Sequence, residues 1–557
     1  MLEALLVSSL EKVGLGQDPV PLGEENLNVF LGENMSFQIA YRDVNAGKGA
    51  GIKVDKRVQR VSDGIWQEAQ SEDAPMVRIR QVLPVMCRRS CNPEAVDENY
   101  LFLDARMAPD LLRDVEGEVS LTDQWQSLWV DICPEEKQEP GRYRVSILLW
   151  DNEKRLTERV VEVCVIGRTL PPLPILHTEW FHCDGIVDYY GVEAFSEEFW
   201  RIFRNFVNVY VKRGGNMIYV PVLTPPLDTG VGLERTTVQL VRVELAAGKY
   251  DFDFSNLDRF LEICLSEGIR QFEICHLFSQ WGAAAAPKVV AWEDGTCRKI
   301  FGWDTPSDSP EYLGFLEEMI PALKEFLAGK GLMDRTYFHI SDEPNLTSVQ
   351  YQTAQGAVRP LLEGCTIIEA VSEYEYFEKG LVDIPVCATN HIEPFLEKRP
   401  PVLWSYYCCA QEVEVPNRFI SMPSWRNRIY GILLYWLKID GFLHWGFNFY
   451  NSILSRKQIN PYESVDADGG FPAGDPFLVY PGEGGIPEES IRIMVQDEGI
   501  NDYRALYALE SQLGREKVME LIRQEAGMDL SFRHYPGNEA FILGLRRKVD
   551  QLLAEAL

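Results

Sequence analysis

Apolar and polar residues alternate with period two through much of the first 170 residues. The stretches "QSLWVDIC" (126–133) and "GRYRVSILLWD" (141–151) put every second side chain on one face, as strands with one buried side require. "RLTERVVEVCVIG" (155–167) follows directly after the turn-like "NEK". Short strands separated by turns predict a β-sandwich over residues 1–170, closed off by the proline-rich "TLPPLPIL" at 169–176. The rhythm then changes to short apolar runs alternating with amphipathic helices such as "EEFWRIFRNFVNVYVKRG" (197–214), "NLDRFLEICLSEG" (256–268) and "RNRIYGILLYWLKID" (426–440). The strand candidates are "HTEWFHC" (177–183), "NMIYVPVL" (216–223), "IRQFEICHLF" (269–278), "TYFHIS" (336–341), "CTIIEAVS" (365–372), "IPVCAT" (384–389), "VLWSYYCC" (402–409) and "GFLHWGFNF" (441–449). Eight such units predict a (β/α)8 TIM barrel over residues 171–487. "IRIMVQDEGINDYRALYALESQL" and "REKVMELIRQEAG" then carry helical apolar spacing, which predicts a C-terminal helical extension over 488–557, packed on the barrel. The expected fold class is thus multidomain: sandwich, barrel, helical extension.

Composition narrows the partners. With 557 residues, 46% hydrophobic and 25% charged, the chain can bury more than one core. A formal net charge of -30 repels phosphate backbones and anionic lipid, so no nucleic-acid or membrane partner is expected and a neutral ligand fits better. Glu3 stands where a secretory leader would be basic, and no apolar run reaches a membrane span, so a cytoplasmic location is expected. The 12 cysteines form no paired C-x-x-C framework and read as reduced, buried thiols. Nothing in the sequence fixes an oligomeric state.

Candidate chemistry lies at the strand ends. "YFHISDEPN" (337–345) ends an apolar run on two adjacent acids, Asp342 and Glu343, with Pro344 removing the next backbone donor. Catalytic residues of such barrels sit at the C-terminal ends of strands. Neighbouring Cα atoms are about 3.8 Å apart. Adjacent acids do not straddle a sugar at the roughly 5 Å or more that two-carboxylate glycosidases use. They suit a substrate that brings its own nucleophile, with Glu343 as acid and then base, its pKa raised by ionised Asp342, and Asp342 holding a 2-acetamido N–H. The plainer alternative is a strand-end pair that caps a helix or meets a surface Lys. His339 shares the strand and reads either as an inward partner of an acid or as a satisfied core histidine. His276, Gln280 and Trp281 in "HLFSQWG", Trp303 in "FGWDTP", Tyr406 in "LWSYYCC", and Trp445 and Asn448 in "HWGFNFYN" supply the amides and aromatic plates of a pyranose site. "DADGG" (466–470) with Asp475 lacks the ligand alternation of a calcium loop and reads as a turn, and "GEGG" (482–485) lacks a nucleotide-binding context. No metal or other cofactor is expected.

"YFHISDEP", "FGWDT", "HLFSQWG", the run "LWSYYCC…VPNRF…RNRIYGILLYWLKIDGFLHWGFNFYN" and "GDPFLVYPG" resemble glycoside hydrolase family 123 and its uncharacterised catalytic-domain relatives, over about residues 125–510. The resemblance implies a retaining exo-β-N-acetylgalactosaminidase with a sandwich before its barrel, acting by substrate-assisted catalysis on a small carbohydrate with a terminal β-linked N-acetylhexosamine. Asp342 would then stabilise the oxazoline and Glu343 serve as acid/base, with Tyr406, Trp445 and Asn448 at motif positions near the pocket. The resemblance assigns no role to residues 450–474. Three alternatives stay open: a preference for β-GlcNAc, an ordinary retaining glycosidase with Glu373 as nucleophile, and a non-catalytic sugar-binding barrel.

Overall fold

The structure, a computed structural model, describes residues 2–23, 26–70 and 74–555. It divides into two compact units. One comprises the chain up to Pro174 with Glu412–Lys438 and the chain from Glu488 onward; the other is Ile175–Gln411 with Ile439–Pro487.

In the first unit, one sheet orders Leu2–Ser8, Met35–Asp43, Gln126–Cys133, Met76–Cys87 and Arg106–Asp114. The second orders Asn26–Leu31, Lys154–Thr169, Gly141–Asp151, Gly51–Ser62 and Ile65–Glu68, with Glu118–Ser120 also pairing Gly51–Ser62. The alternation in "GRYRVSILLWD" works as the sequence demands. Val145, Ile147 and Leu149 turn into a core shared with Phe37, Ile39, Leu128 and Val130 of the opposite sheet, a sandwich whose inner faces interdigitate.

The helices Ser424–Trp436 and Ile491–Leu513 also lie in this unit. They touch at glycines: a Cβ on Gly431 would fall 1.8 Å from the Gly499 carbonyl oxygen, so only glycine permits the crossing. Arg428 then bridges the pair, donating to both carboxylate oxygens of Asp502 at 2.8 and 3.0 Å and to Glu498 at 2.7 Å. Residues 412–438 and the C-terminal helices thus belong to the same unit as the sandwich.

The second unit is a closed barrel of eight parallel strands: Leu176–Glu179, Met217–Val220, Gln271–Ile274, Thr336–Phe338, Thr366–Val371, Ile384–Ala388, Trp404–Tyr406 and Gly441–His444. Closure is made by the first strand lying beside the eighth, with Thr178 opposite Leu443. Seven of the strands fall inside the apolar runs read from the sequence, and the first begins at Leu176, one residue before its run. A four-stranded sheet, Lys249–Asp253, Arg242–Ala246, Val289–Glu293 and Thr296–Phe301, is inserted in the connections after the second and third strands. Among the described residues no helix is long and apolar enough to cross a membrane.

Candidate active site

The barrel interior below the site is polar where branched apolar layers are usual. Glu273, on the third strand, accepts from the Thr178 hydroxyl at 2.7 Å, the Trp180 indole N–H at 2.7 Å and His339 Nε2 at 2.5 Å. The other ring nitrogen of His339 faces Glu369 at 3.3 Å. Burial alone would push His339 down, but these two carboxylates outweigh it and hold its pKa up to about 10, so it is a buried imidazolium. His276 accepts at Nδ1 from, or donates to, the Tyr219 hydroxyl at 2.8 Å.

His276, His339 and Glu369 bring potential ligand atoms within 4.8 Å of one another. The two imidazoles, however, stack with centroids 4.3 Å apart and planes 27° apart, so their in-plane lone pairs run side by side rather than converge. With both His339 nitrogens turned to carboxylates, the cluster is a buried ion pair and a poor fit to a metal.

The same cluster ends the fourth strand. Glu369 takes the backbone N–H of Ile340 at 2.5 Å and of Ser341 at 3.2 Å, drawing the chain out of the ladder, so the strand stops at Phe338 rather than at Ser341. Asp342 and Glu343 therefore stand on a bend beyond it. In an extended strand adjacent side chains point to opposite faces. Glu343 instead has φ of 40°, in the left-handed region, and both acids line one pocket. The Trp281 backbone N–H holds the Asp342 carbonyl at 2.9 Å, and the Tyr376 hydroxyl donates to the Pro344 carbonyl.

That pocket, about 610 Å³ and open to solvent, is also lined by Asp228, Gln280, Trp281, Tyr406, Trp445 and Phe471. No Arg or Lys lines it among the described residues. Glu343 accepts from the Tyr406 hydroxyl at 2.9 Å and from the Trp281 indole N–H, both neutral donors. Trp281 (φ 59°, 56% exposed) offers a bare indole face, and Asp228 (φ 40°) shares the left-handed backbone, so three pocket residues sit in a conformation that costs energy. Trp445 is pinned by its indole N–H on Asp475 at 2.9 Å and by Phe449 and Phe471 edge-on, at 5.0 and 5.1 Å. The Gln280 side-chain carbonyl oxygen is buried and meets no donor among the described residues.

By surface area Asp342 is half-buried and Glu343 exposed, because each reaches water through the pocket mouth. Protein crowds them on the other sides, and burial raises both carboxyls. For Asp342 the rise is large, with the charge of Glu343 adding to burial and His339 opposing them. For Glu343 the Tyr406 and Trp281 hydrogen bonds pull back down against burial. This corrects the sequence expectation that crowding would raise Glu343 beside an Asp342 left ionised. The two acids share their charge as one coupled pair.

The sequence candidates thus divide. Asp342, Glu343, Gln280, Trp281, Tyr406 and Trp445 converge on one pocket. His276 and His339 do not line it: just past the ends of the third and fourth strands, they lie fully buried beneath it. Asn448 is also buried away from it, exchanging hydrogen bonds with the His182 backbone N–H at 2.8 Å and carbonyl at 3.0 Å. Trp303 lines a different pocket. Glu373 is exposed and lines neither. Sequence reasoning missed Asp228, whose pKa burial lifts to about 6, and Phe471. Both trace to the 450–474 loop: Phe471 belongs to it, and its Leu454 N–H holds the Asp228 carboxylate at 2.8 Å. Cys408 and Cys409, read as buried thiols, also line the pocket. Asp466 closes its own turn, accepting from Ser464 at 2.9 Å and the Gly469 N–H at 3.0 Å.

Two acids with neutral hydrogen-bond partners thus stand in an aromatic-walled cleft, an arrangement able to transfer protons to a neutral ligand. The chain belongs to glycoside hydrolase family 123, whose catalytic-domain model matches residues 180–509. A family 123 glycoside hydrolase from Clostridium perfringens has a similar structure, with a TM-score of 0.76 at 16% identity, covering 100% of this chain and 99% of that one. A family 39 glycoside hydrolase from Bacteroides cellulosilyticus WH2 is far more distant, with a TM-score of 0.34 at 11% identity over 80% of each chain. No curated protein matches the sequence.

Proposed function

We propose that this glycoside hydrolase is a retaining exo-β-N-acetylgalactosaminidase that works by substrate-assisted catalysis. The observation that carries the reading is the adjacency of Asp342 and Glu343 on one pocket wall, with Glu373 outside the pocket. The acetamido carbonyl oxygen of the bound sugar attacks its anomeric carbon as the glycosidic bond breaks, and Glu343 delivers its proton to the leaving oxygen. Asp342 accepts the acetamido N–H. That hydrogen bond favours the ionised form, so substrate itself moves the shared negative charge onto Asp342 and leaves the proton on Glu343, where protonation of the leaving group requires it. Water then attacks the anomeric carbon of the oxazoline, giving its proton to Glu343. Two inversions restore the β configuration.

Trp281 and Trp445 supply apolar faces for the ring, and Gln280 and Asp228 are placed to meet its hydroxyls. The preference for GalNAc rests on the family resemblance, and the Clostridium perfringens enzyme is described as hydrolysing glycolipid glycans.

The test is hydrolysis of aryl β-GalNAc, β-GlcNAc and β-galactoside by wild type, Glu343→Gln and Asp342→Asn. Both variants lose activity on the acetamido sugars, and a thiazoline that mimics the oxazoline inhibits wild type. Activity surviving both substitutions, or confined to the β-galactoside, would sink the mechanism.

A further inference from the structure

The mechanism leaves one pair of nucleophiles in the pocket unused. Of the 12 cysteines only Cys408 and Cys409 are adjacent in sequence, and both line the catalytic pocket just beyond the seventh barrel strand. They stand in a tight turn: the Gln411 N–H donates to the Cys408 carbonyl at 3.2 Å, and the Cys408 N–H donates to the Gln411 side chain at 2.8 Å. Both residues are partly exposed, and their thiols hydrogen-bond to each other.

We propose that Cys408 and Cys409 are a redox modification site of the catalytic pocket, oxidised by a cationic low-molecular-weight disulfide to a vicinal disulfide that lowers hydrolysis. The effect on hydrolysis rests on the catalytic reading above; the thiol chemistry does not.

The two thiols have different parts. Its hydrogen bond with Cys409, burial, and the charges of Cys409, Glu343 and Asp475 push the Cys408 thiol well above the usual range, so Cys408 keeps its proton and Cys409 opens the reaction. Cys409, as thiolate, attacks one sulfur of the oxidant, forming a mixed disulfide and releasing one thiolate. Cys408 then gives up its proton and attacks the Cys409 sulfur, releasing the second. The cysteines lose two electrons and two protons, and the oxidant leaves as two thiols. Charge selects the oxidant: Asp228, Asp342 and Glu343 line the cleft with no Arg or Lys among the described residues, so a cation is drawn in and an anion held off. Adjacent Cα atoms lie about 3.8 Å apart, short of the roughly 4.4–6.8 Å that disulfides favour, so the ring is strained and a free thiol reopens it readily. Closing it moves the Cys408 sulfur two residues past Tyr406 and near enough that its charge bears on that phenol, the one that donates to Glu343.

Cystamine, a cationic disulfide, and glutathione disulfide, an anionic one, test this on a Cys297→Ser background, which lacks the one exposed cysteine. Aryl β-GalNAc hydrolysis and peptide masses are followed together. Cystamine leaves Cys408 and Cys409 linked and short of two hydrogens, and kcat/KM falls about tenfold, the worth of one hydrogen bond to a charged group. Dithiothreitol restores both. At low salt glutathione disulfide reacts about tenfold more slowly, and added salt narrows the gap. In Cys408→Ser the cysteamine stays on Cys409, and in Cys409→Ser neither position reacts, each variant being compared with its own reduced form. Thiols at 408 and 409 that survive cystamine, cysteamine retained on the unsubstituted pair, or a linked pair with unchanged kcat/KM overturns the proposal. So does an equal loss of activity in Cys408→Ser/Cys409→Ser. A pair that links as described in a protein without aryl β-GalNAc hydrolysis upholds the modification site and counts against the hexosaminidase reading alone.

Discussion

Tyr406→Phe removes one hydroxyl from Glu343 and leaves a buried ring in place. The Tyr406 O–H donates to the Glu343 carboxylate at 2.9 Å, which favours the ionised form and holds the pKa of Glu343 below where burial alone would put it. Without it, that pKa rises. A hydrogen bond to a charged group contributes about 1.5–3 kcal/mol, but Glu343 touches water, and screening takes the figure down to about 1 kcal/mol. At 1.36 kcal/mol per pH unit, that moves its titration upward by about 0.7. In the proposed mechanism Glu343 must carry a proton to cleave the glycosidic bond, so activity falls as pH rises through its pKa, and the basic limb of the kcat/KM profile is the one that shifts. The assay is aryl β-GalNAc hydrolysis across pH for wild type and Tyr406→Phe. The expected result is a basic limb displaced upward, and Trp281→Phe, which removes the other neutral donor, shifts it the same way. A limb that stays put or moves down in Tyr406→Phe would refute the assignment of Glu343 as the acid.

His339 ties stability to pH. The folded state holds its proton to about 10, against about 6.5 when unfolded, so its contribution is complete below about 6.5 and is lost by about 1.4 kcal/mol per pH unit as pH rises toward 10. Thermal melts from neutral to alkaline pH should show this slope in wild type and a flatter one in His339→Gln, which also melts lower at pH 7 because two carboxylates lose their buried cation. Asp228→Asn should raise KM about tenfold with kcat little changed if its carboxylate meets a sugar hydroxyl; wild-type KM should also climb as pH falls through about 6, a dependence absent in the variant. Gly431→Ala forces the two helices apart at the Gly499 carbonyl and should cost about 1–3 kcal/mol, read as a lowered first transition in calorimetry with the kinetics unchanged.

How far these features could be read from the chain depends on the kind of signal each leaves. Strands leave periodicity, and every barrel strand lies within an apolar run or one residue outside it. The acid pair was visible because a strand-end acid in a barrel is a positional signal, independent of what surrounds it. Depth within the barrel leaves no such mark. His276 and His339 stand two and one residues past their strands and lie beneath the pocket, Gln280 and Trp281 stand six and seven residues past theirs and line it, and Asp342 reaches the mouth only four residues past its strand because the chain bends there. That bend is made by Glu369. Its signal was present as a lone acid inside the apolar "TIIEAV", and "FEI" carries Glu273 in the same way. A charge within a buried strand demands a partner of opposite sign, and His339 is the cation that meets both. Asp228 escaped because "TPPLDTG" reads as an ordinary turn, although it too follows a barrel strand. Had the strand-end rule been applied to loops as strictly as to the fourth strand, Asp228 would have joined the candidates. Trp303 would still have been misplaced, since only the inserted sheet determines which pocket it faces.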